Sequence, residues 1–154
     1  MTLDDVVDGL EVEENFAFMP KVILQTDGTS LAVTHCNSYA NAVTAALGCP
    51  IPPKLANKQH AWLKAEGARQ GWVPCNEQAA LSFVERDYTV VAVWTNPTGG
   101  PGHIAVCVPT PEGEAGLWVT SAGKRNHRRC QLEKSFGSLD PEFFVFQPGE
   151  ESND

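Results

Sequence analysis

A chain of 154 residues fits one domain, since a single core of that size removes roughly two thirds of the extended surface from water. Hydrophobic residues at 42% against charged residues at 19% give a globular balance, and a formal net charge of -8 argues against a nucleic-acid partner, which needs a broad basic face to displace phosphate counterions. No apolar run approaches bilayer length, and the opening MTLDDVVDGLEVEENF lacks the basic-then-apolar order of an export signal, so the expectation is a cytoplasmically made protein with no membrane span and no signal peptide.

In chain order, six acidic residues fall within positions 4 to 14 and mark residues 1–15 as an acidic N-terminal segment. Two short apolar runs, KVILQ and SLAV, flank the turn-like TDGT and read as short strands or an irregular approach to the helix that follows. From Cys36 to Leu47 the apolar residues Tyr39, Ala40, Val43, Ala46 and Leu47 recur at helical spacing, and Gly48 closes the helix. The prolines of CPIPPK then break regular structure. A second helix is expected over Ala56 to Glu66 with Trp62 and Leu63 facing inward, and a third through Ala79, Ala80, Phe83 and Val84 with Asn76 as its N-cap.

Beyond residue 88 the period changes. The runs TVVAVW, HIAVCV, LWVTS and FFVFQ are β-branched or aromatic and are separated by Gly and Pro turns, which predicts an antiparallel sheet. Helices grouped before strands give an α+β domain over 16–148 with the sheet packed on the leading helix, followed by an acidic C-terminal tail over 149–154.

The five cysteines, at 36, 49, 75, 107 and 130, are odd in number and scattered, which fits reduced thiols. A reactive thiol must reach the thiolate, and the first turn of a helix favours that form through its unpaired N–H groups and dipole. Cys36 is the cysteine that opens a strong amphipathic helix; the others follow a helix, precede a cap, sit inside an apolar strand (Cys107) or fall in the basic loop (Cys130). A thiol nucleophile also needs a base delivered by the fold. His103, after Gly-Gly-Pro-Gly and at the start of HIAVCV, stands at a strand mouth, whereas His60 and His127 read as surface residues and His35 diverges from its neighbour Cys36.

The segments Thr34-His35-Cys36-Asn37-Ser38-Tyr39, VVAVWTNP and GHIAVCVP resemble the papain-like cell-wall hydrolases of the CHAP and NlpC type, over about residues 30 to 147. The resemblance implies a papain-like fold, with N-terminal helices packed on an antiparallel β-sheet, Cys36 as nucleophile and His103 as base. It also implies a third residue on the next strand that holds the imidazole. That strand, LWVTSAGKRN, offers Ser121 where similar sequences carry Gln, and Asn126 just beyond it. If the hairpin pairs His103 with Ser121 the two share a face, and a one-residue slip would turn Ser121 away. Helix geometry makes the Cys36 N–H an oxyanion donor, with a second from Thr34 or the TDGTS turn.

The substrate implied by the resemblance is the stem peptide of peptidoglycan, cut at a peptide or amide bond. Without a signal peptide, access to the wall requires phage lysis, a virion or a dedicated secretion apparatus, and an immunity or inhibitor protein is a candidate partner. No closely paired Cys or His ligands suggest a metal, and no cofactor is implied. The competing expectations are a noncatalytic binding or inhibitor protein with the same shell, and a protein-directed cysteine protease or deamidase. Lys124, Arg125, Arg128 and Arg129 form a local basic cluster, either a solvated loop or a contact for an anionic substrate.

Overall fold

A computed structural model describes residues 1–149; the rest of the acidic tail expected over 149–154 lies outside the described residues. The chain begins with α1 (Leu3–Leu10) and a 3-10 turn at Phe16–Phe18, followed by a hairpin of β1 (Lys21–Leu24) and β2 (Ser30–Val33). Next come α2 (Cys36–Ala46), α3 (Ala56–Ala65), β3 (Trp72–Cys75), α4 (Glu77–Glu85), β4 (Val90–Trp94) and β5 (His103–Val108). The series closes with β6 (Trp118–Ser121), β7 (His127–Gln131), α5 (Leu132–Phe136) and β8 (Glu142–Phe146). The fold is α+β.

Six strands form one antiparallel sheet in the order β3-β8-β4-β5-β6-β7, so β8 enters between β3 and β4. Residues 90–93 and 104–108 are buried without interruption, because helices cover both faces of the sheet. Val91, Val93, Ile104, Val106 and Phe144 pack against α1, α2 and α3 on one face. Val90, Ala92, Ala105, Cys107, Phe143 and Val145 pack against α4 and α5 on the other. The expectation of a sheet resting on its leading helices describes the first face; the second face is covered by helices that alternate with the strands.

The acidic N-terminal segment is part of the domain. Thr2 and Asp5 form a reciprocal cap, with each side chain bonded to the other's backbone N–H, and the helix they start buries Val6 and Val7. Val6 and Val12 belong to the core that contains Cys36. The acids face outward onto β7: the Arg129 guanidinium donates to Asp4 and Asp8 at 2.9 and 3.3 Å, and the Arg128 backbone N–H donates to Glu13. Half of the basic cluster is therefore an internal partner of the acidic segment, a pairing that neither sequence expectation named.

Several side chains also change place. Trp72, in a strand with no sequence forecast, is the buried tryptophan, while Trp62 is only half-buried. His60 is buried rather than superficial, its Nδ1 2.6 Å from the Thr95 hydroxyl and its Nε2 3.3 Å from Glu142. Cys130 lies buried within β7 rather than in a loop.

Candidate active site

Cys36 is the first residue of α2, and its N-cap, His35, makes no side-chain cap hydrogen bond. The first-turn N–H groups are thus not claimed by a capping oxygen. The backbone N–H groups of Ile104 on β5, of Asn37 and of Cys36 itself instead favour the charged form of the Cys36 thiol. The thiol is buried at 6% exposure, and this burial raises its pKa above the usual cysteine value while the three N–H groups act in the opposite sense.

Buried polar contacts hold α2 in place. The Tyr39 hydroxyl lies 2.6 Å from that of Thr120 on β6. Gln59, fully buried on α3, donates to the carbonyls of Asn37 and Pro52, both at 3.1 Å, and so ties the first turn of α2 to the proline linker.

The loop that delivers His103 is clamped from α3. Asn57 donates to the Gly100 carbonyl and accepts the Asn96 N–H. Its Oδ1 and the Trp94 carbonyl crowd Gly102 so closely that a Cβ there would collide with both. The Gly-Gly-Pro-Gly sequence thus serves close approach as well as turning.

His103 places its ring edge-to-face on Phe136, with centroids 4.6 Å apart, and its Nε2 lies 2.8 Å from the Ser135 hydroxyl. Ser135 is in turn 3.0 Å from the Ser121 hydroxyl. Burial drives the His103 pKa down to about 4, so the imidazole is neutral at pH 7, with Nε2 engaged and Nδ1 as its other polar atom.

Cys36 and His103 meet through the backbone. Ile104, whose N–H favours the charged form of the thiol, follows His103 directly, but strand alternation turns the Ile104 side chain towards α2 and the His103 ring towards α5. Among the described residues no hydrogen bond joins the thiol to the ring. The two side chains open into adjoining cavities of about 450 and 550 Å³ that share Thr34, Pro101 and Gly102 as a common wall.

Of the two orienting residues expected on the following strand, Ser121 is brought in and Asn126 is not. The β5–β6 pairing Val106↔Thr120, continued along the strands, sets Ser121 opposite Ala105 and Gly123 opposite His103. This two-residue offset keeps Ser121 on the His103 face, and Ser135 bridges the gap. Asn126 uses its amide elsewhere, accepting the Gly123 N–H and donating to the carbonyls of Val12 and Phe18, so it fastens the N-terminal segment to the β6–β7 turn.

Sequence reasoning missed Ser135, Asn57 and Gln59. Ser135 sits in a five-residue helix too short to show a period, and nothing in its neighbourhood forecasts contact with residue 103. Asn57 falls within the expected second helix, but its partners lie 39 and 43 residues away.

No protein-family model matches the sequence, and none of the curated proteins does. Among the described residues no group of three or more His, Cys, Asp or Glu side chains could hold a metal ion, and no helix is long and apolar enough to cross a membrane. The chemistry available is that of a helix-start thiol, a neutral imidazole and a pair of hydroxyls.

Proposed function

We propose that the protein is a papain-like cysteine hydrolase that cleaves peptide or amide bonds of bacterial peptidoglycan, with Cys36 as nucleophile and His103 as general base. The observation that carries this reading is the placing of Cys36 at the uncapped start of α2, in a cavity that shares the wall of Thr34, Pro101 and Gly102 with the cavity of His103. The unclaimed N–H groups of a helix start stabilise the thiolate that attack requires.

At rest the thiol is protonated and the imidazole neutral, because loss of solvation disfavours the charged form of each. Substrate binding across the Thr34–Gly102 wall brings the scissile carbonyl over Cys36, and a turn of the His103 ring carries Nδ1 towards the thiol. Nδ1 takes the thiol proton, the sulphur adds to the carbonyl carbon, and the tetrahedral oxyanion is held by first-turn N–H groups of α2 with the Thr34 hydroxyl. The imidazolium returns its proton to the leaving amine as the C–N bond breaks, leaving a thioester. Water, deprotonated by His103, adds to the thioester carbonyl, and the acid leaves as Cys36 recovers its proton.

Purified peptidoglycan digested with the full chain should release fragments whose masses identify the bond cut. Cys36→Ala should abolish that release, and unchanged release by the variant would remove Cys36 from the chemistry. A noncatalytic binding role for the same shell is favoured by the burial that keeps the thiol protonated and by the His103 ring facing Ser135. In that case wild type and Cys36→Ala would bind peptidoglycan equally and neither would release fragments.

A further inference from the structure

The 550 Å³ cavity on the His103 side is lined by Lys124, Arg125 and Lys134 with the hydroxyls of Ser121 and Ser135, and no Asp or Glu lines it. This is unexpected in a chain of net charge -8. Among the described residues the neighbouring Arg128 and Arg129 are matched by Asp4 and Asp8, whereas Lys124, Arg125 and Lys134 enter no ion pair. The one acid felt by His127 at the rim through its charge, Glu13, already accepts the Arg128 backbone N–H. The N-terminal helix thus cancels one half of the basic run and leaves the other half uncancelled over the cavity beside His103.

We infer that this cavity is a subsite for a carboxylate of the substrate, so that the preferred peptide carries a free carboxylate next to the scissile amide. The inference rests on the hydrolase reading and adds a substrate class to it. Two ammonium groups and a guanidinium beside hydroxyl donors supply charge-assisted hydrogen bonds to a carboxylate. A carboxamide in the same place would leave the three cations without a counter-charge. The shared wall of Thr34, Pro101 and Gly102 makes the subsite continuous with the Cys36 cavity.

The test uses two peptidoglycan stem peptides that differ only in one group, a free carboxylate or its carboxamide. Hydrolysis by the full chain should favour the carboxylate peptide about ten-fold or more in kcat/KM, and Lys124→Gln combined with Arg125→Gln should bring the ratio near one. The same pair is titrated against Cys36→Ala by calorimetry, with thermal melting to confirm that each variant is folded. Adding inorganic phosphate to the wild type as a competitor distinguishes a general anion site, which would lose both peptides' discrimination at equal phosphate concentrations, from one shaped for carboxylate. Hydrolysis without preference overturns the subsite and leaves the hydrolase. Carboxylate-selective binding by Cys36→Ala, without hydrolysis by the wild type, retains the subsite and overturns the hydrolase.

Discussion

Ser135 holds the Nε2 of a half-buried imidazole, and its removal tests whether that grip matters to the chemistry. Ser135→Ala is expected to lower kcat roughly ten-fold with little change in KM, the scale of one lost hydrogen bond, with Ser135→Thr restoring part of it. A purely structural serine would instead change melting temperature and leave the kcat-to-KM split untouched. His103 itself makes stability depend on pH. Its imidazole titrates near the ordinary value of 6.5 when unfolded and near 4 when folded, so between these values the unfolded chain binds the extra proton. Its stabilising contribution is complete above pH 6.5 and is lost as pH falls towards 4, with a slope of up to about 1.4 kcal/mol per pH unit. Burial shifts His60 and His127 in the same direction, so the measurement is the difference between wild type and His103→Gln in urea melts across that window. The variant should show the flatter profile.

At the scale of elements, α3 acts as the latch of the site, since Asn57 clamps the loop before His103 and Gln59 clamps the first turn of α2. Gly102→Ala would drive a methyl group into Asn57 and the Trp94 carbonyl, and we expect a loss of about 1–3 kcal/mol in chemical denaturation together with reduced turnover. Asn57→Ala should reduce turnover while removing the Asn57 side of that clash, so the double variant should be less damaged in stability than the sum of the two. These contacts explain what the sequence could and could not disclose. The helix at Cys36 and the strand at His103 were legible because each carries its own period or β-branched run. The third helix was legible because Asn76 caps it, bonding the Ala79 N–H. By contrast β7, rich in His and Arg, looked like a loop, since its polar side chains are drawn into the sheet by acids more than a hundred residues away. The pattern Thr2-Leu3-Asp4-Asp5 did contain a cap signal for α1, but the density of acid obscured it. Ser135 had no local signal of any kind.

For the whole molecule, the docking of α1 weighs more through apolar than through ionic contacts. Burying Val6, Val7 and Val12 is worth roughly 1.5–3 kcal/mol each, whereas the exposed ion pairs to Arg128 and Arg129 contribute roughly 0–1 kcal/mol each. Deleting residues 1–12 should therefore unfold the domain or lower its melting temperature severely, while Asp4→Asn with Asp8→Asn should cost little. Circular dichroism melts of the two proteins decide the matter, and equal effects would show that the acids dominate. The position of β8 sets a different constraint, one of time. Until Glu142–Phe146 has been synthesised, β3 has no neighbour in the main sheet, and the meander of β4 to β7 has an open edge at β4 in addition to the edge at β7 that the finished sheet keeps. Cys36 and His103 leave the ribosome long before the strand that joins the two parts. Translation intermediates that already carry both residues should therefore remain unfolded and inactive, and activity should arise only when the last strand is inserted.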